Sequence, residues 1–124
     1  LTAPGIPMLF QGQEILEDEF FRDTDPIDWN KANTYAGIRL MYKDLVALRR
    51  NFGGNSAGLG GPHINAFHVN HGAKVVAYHR WKNGGVGDDV IVIMNWSNTP
   101  FNQYQIGLPH GGNWKVAFNS DWNG

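Results

Sequence analysis

Seven of the chain's 11 acidic residues, Glu14, Glu17, Asp18, Glu19, Asp23, Asp25 and Asp28, fall within its first 28 positions, opposed there only by Arg22. Carboxylates gathered in this way suit glycoside hydrolysis, which needs two of them roughly 5–10 Å apart, one as acid and one as nucleophile or base. The competing reading, a solvated loop face, accounts for most of the seven. Asp23, Asp25 and Asp28 also suggest a calcium loop, but Pro26 and the lack of a Gly at the sixth and a Glu at the twelfth position break the EF-hand pattern. Trp29 lies in the same stretch. An indole face stacks well on a sugar ring, and of the five Trp this is the one read as a ligand contact. Trp81, Trp96 and Trp114 fall within or at the ends of strand-like runs and are read as closing a sheet core.

Other chemistries find less support. His68 and His71 are three apart on a strand-like run, which sends them to opposite faces and away from a shared metal ion. None of Ser56, Ser97 and Ser120 sits in a G-x-S-x-G turn, so a serine nucleophile is not expected. The Gly-rich stretch 53–61 has neither G-x-G-x-x-G after a strand nor a P-loop Lys, and implies no phosphate cradle. With no Cys, the chain has no disulfide, zinc–thiolate site, iron–sulfur cluster or thiol catalyst. No metal and no cofactor are expected. Ten Lys and Arg against 11 Asp and Glu give a net charge of −1, and no basic run exceeds Arg49-Arg50, which argues against a nucleic-acid partner. The apolar run at 6–10 is too short to span a bilayer and lacks a basic flank, so no membrane partner is expected.

These residues need a scaffold, and the hydropathy pattern outlines one. A hydrophobic fraction of 42% across 124 residues suffices for a core. Residues 6–10, apolar and bounded by Pro and Gly, read as a strand buried on both faces, followed by a turn at Gly12. Residues 13–33 carry no period and read as a long ordered loop, a length at which loops are often functional. Ile38, Met41, Tyr42, Leu45 and Leu48 then recur at helical spacing. Asn33 or Thr34 is the expected N-cap, Arg49 and Arg50 suit the negative end of the dipole, and Gly53-Gly54 is the expected left-handed stop. After residue 62 the period shortens to two. Strands are expected at 64–71, 74–81, 89–96, 103–108 and 114–119, separated by turn residues, with 90–94 apolar on both faces and therefore central.

Specific residues also match a known family. The segment 2–14, TAPGIPMLFQGQE, resembles the eighth-strand region of the α-amylase family (glycoside hydrolase family 13), where a Gly-x-Pro leads into an apolar strand and then a Gly-x-Glu. VIVIMNWSNT at 90–99, YQIGLP at 104–109 and NWKVAFNSD at 113–121 resemble the C-terminal β-domain of bacterial members, above all those of the 1,4-α-glucan branching type. The resemblance covers essentially the whole chain. It implies a mainly β fold, an antiparallel β-sandwich, incomplete here, preceded by the last strand, loop and helix of a (β/α)8 barrel. It divides the chain into 1–52 from the barrel, a connector at 53–62 and the β-domain at 63–124.

A complete barrel needs about 250 residues. The resemblance therefore puts the family's catalytic Asp, Glu and Asp upstream of Leu1 and carries no catalytic residue over. A chain that opens on Leu1 inside an apolar segment, and closes on NSDWNG, reads as cut at both ends. Barrel active sites lie at the C-terminal ends of strands, so Gln13 and Glu14 are expected at or beneath the sugar cleft, with Asp25, Asp28 and Trp29 along its border. For Glu14 the alternative role is structural, bonding backbone or a basic partner under the cleft. The implied partners are an α-glucan such as glycogen, starch or a maltooligosaccharide, and the upstream barrel, in a cytoplasmic enzyme acting by retention. Hydrolysis and branching are not separable from these residues. The alternatives are a free-standing carbohydrate-binding module or a purely structural β-domain.

Overall fold

The computed structural model describes residues 1–121. Two helices, α1 (Lys31–Thr34) and α2 (Ala36–Arg49), precede an antiparallel sheet of three strands, β1 (His63–Asn70), β2 (Val75–Trp81) and β3 (Val90–Asn95), in the order β1-β2-β3. Short 3-10 turns lie at Gln13–Ile15 and Ala57–Gly60. The mainly β, antiparallel character read from the sequence is borne out.

The sheet's core is centred on β2. Val75, Ala77, Tyr78 and Arg80 are buried there, joined by Leu59 and Ser56 from the preceding turn. Period two splits the strand: Tyr78 and Arg80 face one side, His79 and Trp81 the other. Residues 53–62 are not a slack connector. Gly58 and Gly61 lie so close to β2 that a Cβ would fall 2.5 Å from the Arg80 carbonyl oxygen in one case and 2.6 Å from the Lys82 Cα in the other. Register shifts in β1 between Asn65 and His68, where a bulge bends the strand.

Several expected elements differ. Residues 6–10 form no strand, and Ile6 is 99% exposed, because no neighbouring strand lies beside them to complete a ladder. Residues 103–108 and 114–119 likewise run without strand pairing. This leaves β3 at an edge rather than the centre, with Ile93 53% exposed. Trp96 is exposed and closes no core, whereas Trp81 lies stacked between His63 and His79, at centroid distances of 5.3 and 4.5 Å.

The helix expected from residue 34 begins at Ala36 and has no side-chain N-cap; Thr34 Oγ1 instead donates to the Asn30 carbonyl. Its stop is Asn51 at φ 54°, not Gly53, and the Asn51 and Phe52 N–H groups donate to the carbonyls of Leu48 and Ala47. The Ser56 hydroxyl adds a second bond to the Leu48 carbonyl, at 2.8 Å. No residue of α2 is fully buried. Among the described residues no helix is long and apolar enough to cross a membrane.

Candidate functional site

Residues 12–31 form the acidic loop, and its organiser is Glu17. Gly12 turns the chain at φ 77°, where a Cβ would meet the Glu17 Cβ at 2.5 Å, so only glycine fits. The Gly12 carbonyl accepts the N–H groups of Ile15 and Glu17, and Ile15 is fully buried beneath the turn. The largely covered Glu17 carboxylate then gathers three backbone donors: Asp18 and Glu19 at Oε1, and Asp28, 11 residues on, at Oε2, 3.0 Å away. Lys31 Nζ donates to Glu17 Oε1 at 2.6 Å and also to Asp18 Oδ1.

Charge follows this geometry. The hydrogen bond from Lys31, helped by the Glu19 and Asp28 amides, holds the Glu17 carboxyl down to about 2. Lys31 lowers the Asp18 carboxyl as well, and the two carboxylates, Asp18 first, push the Lys31 ammonium well above its ordinary range. A carboxylate so firmly ionised does not serve as a general acid near neutral pH, where such an acid needs a raised pKa.

The residues expected at the site take up distinct places. Gln13 and Glu14 lie on the 3-10 turn, with Gln13 Oε1 accepting the Phe10 N–H at 3.2 Å. Glu14 is half-buried and lines a groove of about 690 Å³, together with Phe10, Ile27, Arg39, Tyr42 and Phe52. Among the described residues Glu14 forms no ion pair. Asp25 lies 3.6 Å from Arg22, an exposed pair, and accepts the Thr24 hydroxyl. Asp28 accepts both the backbone and side-chain N–H of Asn30 at Oδ1, opening the turn that starts α1. Trp29 is 65% exposed, its indole open to a flat apolar partner. Asp28 and Trp29 are thus adjoined to the Glu17 hub, while Asp25 stands outside it and Gln13 and Glu14 occupy its base. Among the described residues no cluster of His, Asp and Glu is arranged to hold a metal ion.

Glu17 and Lys31 were not singled out by sequence reasoning. Their only sequence signal is that Lys31 is the first Lys after the acidic run, 14 residues beyond Glu17. Arg49 was also read too locally, and Arg80 was not singled out. Arg49, expected to suit the helix dipole, donates instead to the carbonyls of Leu1, Ala3 and Gly5. Arg80 is fully buried and donates to the carbonyls of Thr2, Leu59, Gly61 and His63. Together they fasten residues 1–5, the lead-in to the site, between α2 and the sheet.

Residues 67–124 match the alpha amylase C-terminal all-beta domain family. Across 97% of its length the chain is 31% identical to a 1,4-alpha-glucan branching enzyme of Nitrosococcus oceani, and across 95% it is 27% identical to that of Corynebacterium diphtheriae. A branching enzyme of Xanthomonas axonopodis is 30% identical over 97% of the chain. The chain spans only 16%, 17% and 17% of these three relatives, respectively. No solved structure matches. The resemblance to the C-terminal part of the α-amylase family, noted from the sequence, is borne out.

Proposed function

We propose that this chain, whose residues 67–124 carry the C-terminal all-β domain of the α-amylase family, is the C-terminal part of a cytoplasmic enzyme of the 1,4-α-glucan branching type. Residues 1–52 complete a (β/α)8 barrel, 53–62 join it to the sheet, and 63–124 form the β-domain. Similarity to branching enzymes over nearly the whole chain supports the class of enzyme. The structural observation that carries the placement is an incompletely covered apolar surface. Ile6, Met8 and Phe10 are exposed, and the stripe of Ile38, Met41, Leu45 and Leu48 along α2 is only half-buried. Such a surface is the kind that packs against a further layer, and the remaining barrel strands and helices are the layer that fits.

The substrate is an α-glucan such as glycogen, starch or a maltooligosaccharide. Bond cleavage and re-formation proceed with retention on carboxylates supplied by the rest of the barrel, since Glu17, Asp18 and Asp28 are occupied with Lys31 and with backbone. Gln13 and Glu14 form the floor of the cleft beside the last barrel strand, and Trp29 stacks on a glucosyl ring at its border, flanked by Asp25 and Asp28.

In the full-length protein, amylose incubation should lower iodine staining without a matching rise in reducing ends. A stoichiometric rise in reducing ends would mean hydrolysis instead. Trp29→Ala should raise KM for long glucans by about fivefold, the loss of one ring-stacking contact worth about 1 kcal/mol, while leaving circular dichroism unchanged. An unaltered KM would remove Trp29 from the cleft.

A further inference from the structure

On the sheet face opposite Arg80, one carboxylate joins two imidazoles. Asp89, the residue before β3, accepts His79 Nε2 at Oδ1 and His110 Nε2 at Oδ2, each at 2.9 Å, and its Oδ2 also takes the Gly85 N–H at 2.9 Å. His110 Nδ1 lies 3.0 Å from the carbonyl oxygen of Gly111. Both nitrogens of the His110 ring therefore face oxygens that only accept. A neutral imidazole has one N–H and satisfies one of them; the imidazolium, with two, satisfies both.

His110 also carries Trp114, whose ring lies 4.9 Å from the imidazole and whose Nε1–H donates to the His110 carbonyl. Among the described residues, hydrogen bonds tie 101–121 to the sheet at two points. Tyr104 meets His68 and Asn70, and His110 meets Asp89. The first is bonded through a phenol and an amide as well as an imidazole. The second depends on one ring.

We propose that Asp89 and His110 form a proton-dependent clasp that holds residues 109–114, with Trp114, on the β2–β3 end of the sheet and releases them when His110 becomes neutral. The titratable groups facing the ring are Asp89 and, across that carboxylate, His79 from β2. Asp88 is turned away onto the amides of Lys82, Asn83 and Gly84. The bond to the Gly111 carbonyl, and then Asp89, raise the His110 pKa above its ordinary value. Burial pulls the Asp89 carboxyl up, but the Gly85 amide, His110 and His79 outweigh it and leave it below its ordinary value. The clasp is thus fully closed below the ordinary His range and opens as pH rises through the raised His110 pKa.

The test uses the full-length protein and two readouts, deuterium exchange at the imidazole C–H of His110 followed by mass spectrometry, and tryptic cleavage after Lys115, normalised to an unstructured peptide. In the wild type, the His110 midpoint should lie above the ordinary value, and normalised cleavage should be about two- to fivefold faster at pH 8 than at pH 6, the range expected of an exposed charged pair. Asp89→Asn should bring the midpoint down and cleave fast at both pH values. His110→Gln, on a half-exposed ring, should remove the pH dependence. A His110 midpoint identical in wild type and Asp89→Asn, or a pH-dependent cleavage that persists in His110→Gln, would overturn the clasp.

Discussion

Arg80 and Glu17 are the most heavily bonded charges in their respective halves of the chain, and they are held in opposite ways. Arg80 sits within the sheet core and donates to four carbonyls drawn from three separate segments. Glu17 sits in the loop, takes amides from the loop itself, and is neutralised by Lys31 in a largely covered pair. The sheet half has its own core: Ser56, Leu59, Val75, Ala77, Tyr78, Arg80 and Asp88 are all buried. Before residue 50 the buried apolar residues are only Ile15 and Ala32 among the described residues. Polar ties hold the first half in shape, and burial holds the second. The apolar stripe of α2 in that first half is only half-buried.

The sharpest way to break this contrast is Arg80→Met. The substitution keeps an apolar stem but strips the donors from the carbonyls of Thr2, Leu59, Gly61 and His63. Unsatisfied buried groups of this kind should cost about 3 kcal/mol or more in a denaturant titration, and residues 1–5 should keep only the Thr2–Tyr78 hydroxyl bond as a tie to the sheet. A loss below about 1 kcal/mol would mean that water replaces the guanidinium easily and that the core is wetter than its burial implies. Gly58→Ala comes next. Its Cβ would fall 2.5 Å from the Arg80 carbonyl and 2.8 Å from the Trp81 Cα, both backbone atoms that cannot yield alone. Overpacking of this sort should cost about 1–3 kcal/mol, with a lowered melting temperature as the readout.

The loop should respond least to global denaturation and most to acid. Glu17 is depressed from 4.5 to about 2, so its ties are complete above pH 4.5 and are lost as pH falls toward 2. The emission of Trp29, in a variant whose other Trp are replaced by Phe, should shift over that window while far-ultraviolet circular dichroism of the sheet holds. Glu17→Gln, which keeps the shape but weakens the hold on Lys31, should move the same shift to neutral pH. A Trp29 signal that changes only together with the sheet would merge the two halves into one cooperative unit.

Much of this was legible in the order of residues. The helical spacing of Ile38, Met41, Leu45 and Leu48 and the alternation through 64–81 found α2, β1 and β2, because both patterns repeat within a few residues and report which side of an element is apolar. The same alternation at 103–108 and 114–119 marked strands that do not pair here. A strand pattern states a preference for a half-buried surface, and only a neighbour with free N–H and C=O groups turns it into a ladder. The exposed position of Trp29 was also readable, from its place in a loop between polar residues.

What the sequence by itself determined about this protein is its local grammar: a helix, alternating strands, glycine turns, an acidic loop with one exposed indole, and a match to the α-amylase family's last segment. What only the tertiary structure decided is which charges are joined. Glu17 with Lys31, Arg49 and Arg80 with the carbonyls of residues 1–5, and Asp89 with His79 and His110 are pairings across 10 to 78 positions of chain. Periodicity fades within a few turns, whereas a hydrogen bond needs about 3 Å between two atoms in space, and nothing along the chain encodes that distance until the chain has folded.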